Sequence, residues 1–183
     1  GTDCEGNKNL VTGDPVAGVQ MENKKSVKKM RMPDASFLHE VLQEAEVVLI
    51  EADGAKHLPC KVPIEKEPVI IPECTDVIAV MGMDALGKPL EEVCFRKDLA
   101  VQFFNTSYKH LMAEEDIAKI LSSVQGARNG VEDREYYVVL NKCDDEIRKE
   151  RAGKIRSLLK EQGIENVMIM SHENRQNELK KYF

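Results

Sequence analysis

The chain of 183 residues lacks any apolar run near the roughly 18 residues that a membrane span requires, and no signal-peptide pattern opens it, so a membrane partner is not expected. It also lacks an excess of positive charge: the net charge of −6 argues against nucleic acid as the main partner. Its five cysteines (Cys4, Cys60, Cys74, Cys94 and Cys143) show no CxxC spacing, and its four histidines form no ligand motif such as HExxH. The cysteines therefore read as reduced thiols of a cytoplasmic protein, neither a disulfide framework nor a zinc site. Internal repeats and low-complexity segments are absent too. What is there is ordinary for a globular protein, with 42% hydrophobic and 32% charged residues. The length suits a single α/β domain over 1–183, with residues 1–24 partly irregular.

The chain is organised around Val47-Val48-Leu49-Ile50-Glu51-Ala52-Asp53-Gly54. Four apolar residues running into two carboxylates and a glycine predict a strand covered on both faces, with its carboxyl end at Glu51. Ligands of open α/β sheets bind at such ends. Glu51 and Asp53 are thus candidates for catalysis and for holding Mg2+, directly or through water, unless they merely cap a loop. Further buried strands are expected near 77–81, 136–140 and 167–170, parallel in one sheet, with Glu51, Gly82, Asn141 and Ser171 along one edge. Short strands are expected around Gly13-Asp14-Pro15, a helix capped by Asp34, and helices over 91–104, 114–123 and 145–162, the last with Ile147, Ile155, Leu158 and Leu159 inward. Lys24, Lys25, Lys28, Lys29 and Arg31 form a basic run, read as a solvated face or an anion site.

Between the first two strands, prolines at 59, 63, 68 and 72 exclude a continuous helix or a central strand over 55–75. A long, stiff connection beside a strand's carboxyl end is often functional. This proline-rich loop is expected to pack over the strand ends and line a pocket with Lys56, His57, Lys61 and Glu67, joined by Asp84 and Arg96 from farther along the chain.

Asn141-Lys142-Cys143-Asp144 follows the third strand without a gap. It has the NKxD pattern with which GTP-binding proteins recognise guanine. A carboxylate at Asp144 accepts from the ring N–H and the exocyclic amine together, a donor pair that adenine lacks. The aliphatic stem of Lys142 can cover the base, Asn141 can tie neighbouring loops, and Ser171 lies where a second base-contacting loop is expected. The plainer reading is a helix cap at Asp144 or Asp145.

Glu51-Ala52-Asp53-Gly54-Ala55-Lys56, Leu58-Pro59-Cys60-Lys61-Val62-Pro63, Glu67-Pro68-Val69-Ile70, Gly82 to Leu90, Arg96 and the Asn141–Asp144 motif occur in an order that resembles the selenium-dependent hydroxylase accessory proteins of the YqeC type. The resemblance spans roughly residues 25–172. It implies a P-loop NTPase-like, mostly parallel doubly wound fold, Mg2+ with GTP or ATP as cofactors, and a role in maturing molybdenum hydroxylases. Family members open with a glycine-rich phosphate loop, whereas here no GxxxxGK[ST] occurs: Gly87-Lys88 precedes Pro89, and Gly153-Lys154 precedes Ile155. The chain resembles the family without its first β-loop-α-β unit, either because that unit is missing from this sequence or because hydrolysis has been abandoned. Alone, it is not expected to be active as an NTPase. Loss of that unit would open the sheet centre, to be compensated by a homodimer or an N-terminal strand. The alternative function is a non-hydrolytic module that contacts a metal-cofactor intermediate or the client enzyme.

Overall fold

The computed structural model describes residues 19–21, 29–31 and 35–171, and the chain divides into two compact units, Gly1–Ile50 and Glu51–Phe183. In the first unit, β1 (Val19–Met21) pairs antiparallel with β2 (Lys29–Arg31), and α1 (Ala35–Glu44) follows. The expected turn at residues 13–15, the cap at Asp34 and the lysines at 24, 25 and 28 lie outside the described residues.

The run 47–50 corrects the sequence reading. It forms no strand, and Val47 and Leu49 are 77% and 84% exposed. Apolar residues become a buried parallel strand only where neighbours complete the ladder and helices cover both faces. Among the described residues nothing pairs with this run, so its hydrophobicity alone does not fix it as strand.

The second unit holds the other three predicted strands in one parallel sheet. These are β4 (Asp76–Gly82), β6 (Glu135–Asn141) and β7 (Val167–Ile169), in the order β4-β6-β7. The central strand carries the most buried sequence, with Tyr136, Val138, Val139 and Leu140 inside. A two-residue parallel sheet joins β3 (Cys60–Lys61) to β5 (Cys94–Phe95). Helices α2 (Leu90–Val93), α3 (Lys97–Phe104), α4 (Glu114–Ser122) and α5 (Glu146–Glu161) complete the unit.

Residues 91–104 are thus not one helix. Cys94 and Phe95 leave the helical path to pair with β3, and Arg96 turns left-handed at φ 61° before α3 begins. On α5, Ala152, Ile155 and Leu159 are buried, but Ile147 is 72% exposed because the first turn faces a surface pocket. Asp145 caps α5 by accepting from the Arg148 amide at 2.8 Å. Tyr136 donates its hydroxyl to the Leu121 carbonyl at 2.8 Å, which ties the central strand to α4.

A two-pronged ion pair joins α4 to α5: Arg151 donates to Glu114 at 2.9 and 2.8 Å. The guanidinium holds the Glu114 carboxyl at about 2, against an ordinary 4.5. A carboxyl depressed by folding stabilises the native state fully above pH 4.5 and loses that contribution as pH falls through about 2. Glu114→Gln should therefore cost on the order of 2 kcal/mol at pH 7 and flatten the loss of stability between pH 4.5 and 2. Urea unfolding across that range measures both effects, and an unchanged acid limb would refute the assignment.

Candidate functional site

Two constellations lie near strand ends of the second unit. The first is built on the proline-rich segment. Lys61, in β3, has a side chain only 8% exposed, and its ammonium sits between two carboxylates, on Asp53 and at 2.6 Å from Glu67. Glu67 also takes both prongs of Arg96, at 2.6 and 2.8 Å. This pairing, helped by Lys61, holds the Glu67 carboxyl at about 2 and raises the Arg96 guanidinium further. The Phe95 ring carries three cations around it: Lys56 at 4.9 Å, Arg96 at 5.3 Å and Lys61 at 5.5 Å from its centroid.

The backbone supports this arrangement from several directions. Asn129 donates its amide to the carbonyls of Glu65 and Glu67 at 3.0 and 2.6 Å. Gly82 donates its amide to the Pro59 carbonyl at 2.9 Å. A Cβ on Gly82 would stand 2.9 Å from the Pro59 Cβ, so glycine is what lets the loop close on the end of β4. Lys56, His57 and Arg96 all hold left-handed backbone, at φ 50°, 66° and 61°. Non-glycine residues accept that conformation only where their surroundings impose it, and such positions gather at functional sites.

The second constellation sits at the carboxyl ends of β6 and β7. Ser171 donates its hydroxyl to Asp144 at 2.7 Å, and Arg148 stands 3.7 Å from the other carboxylate oxygen. Lys142 is left-handed at φ 60°: its amide donates to the Asn141 side chain at 2.8 Å, and its carbonyl accepts from Arg148 at 3.4 Å. The Lys142 ammonium pairs with Asp84 at 2.8 Å. Asp84 therefore joins this constellation. Met83, Asp84, Lys88, Asp145, Arg148 and Arg151 are among the residues that line a pocket of about 210 Å3 here. That is below the roughly 300–1,000 Å3 of complete small-molecule sites, and it suits one part of a ligand.

The structure brings Asp53, Lys56, Lys61, Glu67 and Arg96 together, and separately Asn141, Lys142, Asp144, Ser171 and Asp84. Glu51 is exposed, its carboxylate beside Gly54. The fit to Mg2+ is poor: the Lys61 ammonium already occupies Asp53, and no group of three or more His, Cys, Asp or Glu residues among those described can hold a metal. Sequence reasoning missed Phe95, the centre of three cations. Its place directly before Arg96, in a chain with 5% aromatic residues, was the available signal. It also missed Arg148, which lies four residues after Asp144, in the first turn of α5.

No solved structure matches the chain. A stretch of 44 residues, 24% of the chain, is 52% identical to the uncharacterized protein YqeC of Escherichia coli (strain K12). That stretch spans only 17% of the relative's length. The family described as YqeC protein matches residues 6–98, just over half of the chain, and so takes in the whole proline-rich segment, Phe95 and Arg96. The chain belongs to the YqeC family.

Proposed function

We propose that the chain is a nucleotide-binding accessory protein for the maturation of molybdenum hydroxylases that depend on selenium. It reads a guanine base with Asn141, Lys142 and Asp144, and presents Lys56, Lys61, Glu67 and Arg96 to the client enzyme or its cofactor. The observation that carries the nucleotide reading is the 2.7 Å bond from Ser171 to Asp144. It joins the loops after two adjacent parallel strands and holds a carboxylate at the edge where α/β sheets bind ligands. A carboxylate favours GTP over ATP, since adenine has no pair of donors to offer it.

The phosphates have weaker support. The sequence has no glycine-rich phosphate loop, and Asp53 is engaged by Lys61. The proposal therefore includes binding of the base and no hydrolytic step. The same two observations favour a second reading, a non-hydrolytic module whose cluster around Lys61 contacts a metal-cofactor intermediate. Ligand-observed NMR with Mg2+ separates the two. The 183-residue chain should bind GTP with a Kd of roughly 0.1–1 mM, and ATP at least about fivefold more weakly. Equal responses to the two nucleotides, or none, would overturn the base-reading proposal and leave the binding module.

A further inference from the structure

Beneath the Lys61 cluster lie two thiols that the proposed function does not use. Cys60 of β3 and Cys94 of β5 are register partners in a parallel ladder, and each is 2% exposed. Ladder partners direct their side chains to the same face of the sheet. Neighbouring strands run about 4.8 Å apart, inside the 4.4–6.8 Å between Cα atoms that a disulfide accepts. Both thiols are free. The Cys60 thiol donates to the Val93 carbonyl at 3.2 Å, across the ladder and directly before Cys94 in the chain. The ladder is two residues long, so only a short run of backbone pairing has to part to admit a small oxidant. Each cysteine also adjoins the cluster in sequence, since Lys61 follows Cys60, and Phe95 and Arg96 follow Cys94.

We propose that Cys60 and Cys94 form a redox pair, which a peroxide oxidises to an intramolecular disulfide that staples β3 to β5 beneath Lys61, Phe95 and Arg96. Cys94 is the attacking thiol: the Cys60 proton is committed to the Val93 carbonyl at 3.2 Å, and the neighbouring sulfur lowers the Cys94 thiol while it and burial raise that of Cys60. The Cys94 sulfur attacks one peroxide oxygen, the O–O bond breaks, and hydroxide leaves to take up the Cys94 proton as water. The Cys60 sulfur then attacks the sulfenic sulfur of Cys94, the S–O bond breaks, and the departing hydroxide takes the Cys60 proton as a second water. Two thiols and one peroxide give one disulfide and two waters, the sulfurs losing the two electrons that the peroxide gains. This site stands on its own geometry and does not depend on nucleotide binding.

The test is to treat the folded 183-residue chain with hydrogen peroxide at neutral pH, alkylate the remaining thiols in denaturant, and map the digest by mass spectrometry without reduction. The expected product joins the peptides of Cys60 and Cys94, weighs two hydrogens less than their sum, and reverts with dithiothreitol. Cys60→Ser should abolish it and carry Cys94 on to sulfinic acid, since no resolving thiol remains. Full alkylation of both cysteines after peroxide treatment, or cross-links of either one to other cysteines in place of this pair, would overturn the proposal. The wild-type measurement decides the matter even if the variant fails to fold.

Discussion

Asp144→Asn should exchange the base that the chain prefers, weakening guanosine triphosphate by about 10- to 100-fold and strengthening xanthosine triphosphate by a similar factor. The expectation follows from counting donors. Guanine presents two N–H donors side by side, and in the proposed reading the carboxylate of Asp144 accepts both. Xanthine replaces the exocyclic amine with a carbonyl, so it presents one donor and one acceptor, which an asparagine amide matches. The side chain of Asp144 is 23% exposed, which keeps the expected ratio well below that of a fully buried site. Ser171 should not discriminate between the variants, because its hydroxyl can donate to a carboxylate or to an amide oxygen alike. Competition NMR with the two nucleotides measures the exchange. If the variant loses both nucleotides equally while its thermal unfolding is unchanged, Asp144 holds a loop together and does not read the base.

The two constellations differ in how far the sequence reveals them. The Asn141–Asp144 motif is contiguous, and β6 is so apolar that its end at Asn141 is plain from composition. The chain therefore announces both the motif and the sheet edge that carries it. The cluster around Lys61 is assembled from residues 53, 61, 67, 95 and 96, and only its polar members stood out. Phe95 looked like one more apolar residue in a helix over 91–104. Nothing local shows that Cys94 and Phe95 leave that helix, because the cause is pairing with β3 more than thirty residues earlier. The run 47–50 failed for the opposite reason. Its residues are as apolar as those of a buried strand, but a strand is defined by its neighbours, and the hydrophobic pattern says nothing about which neighbours exist.

Lys61→Met should destabilise the second unit by about 3 kcal/mol at neutral pH, more than removal of any other charge in the cluster. The ammonium is nearly enclosed and lies between Asp53 and Glu67, so its loss leaves two partly buried carboxylates without the cation that separates them. Methionine nearly keeps the volume, which isolates the effect of charge from that of packing. Arg96→Ala should cost less, about 1 kcal/mol, because Arg96 is 27% exposed and Glu67 would still face Lys61. Asp53→Asn and Glu67→Gln added to Lys61→Met should then recover about half of the lost stability, since repelling charges are removed along with the missing partner. Urea unfolding of the single and triple variants reads that recovery, and strict additivity of three losses would mean that the charges do not interact as drawn. The triple variant also separates scaffold from binding site. If the cluster serves only to hold the proline-rich segment, the stability recovered should bring back maturation of the proposed client enzyme in cells in step with it. If the cluster is the surface that the client or its cofactor meets, the stable triple variant should remain at least about tenfold deficient, because its neutral side chains no longer offer the ammonium or the carboxylates that recognition requires.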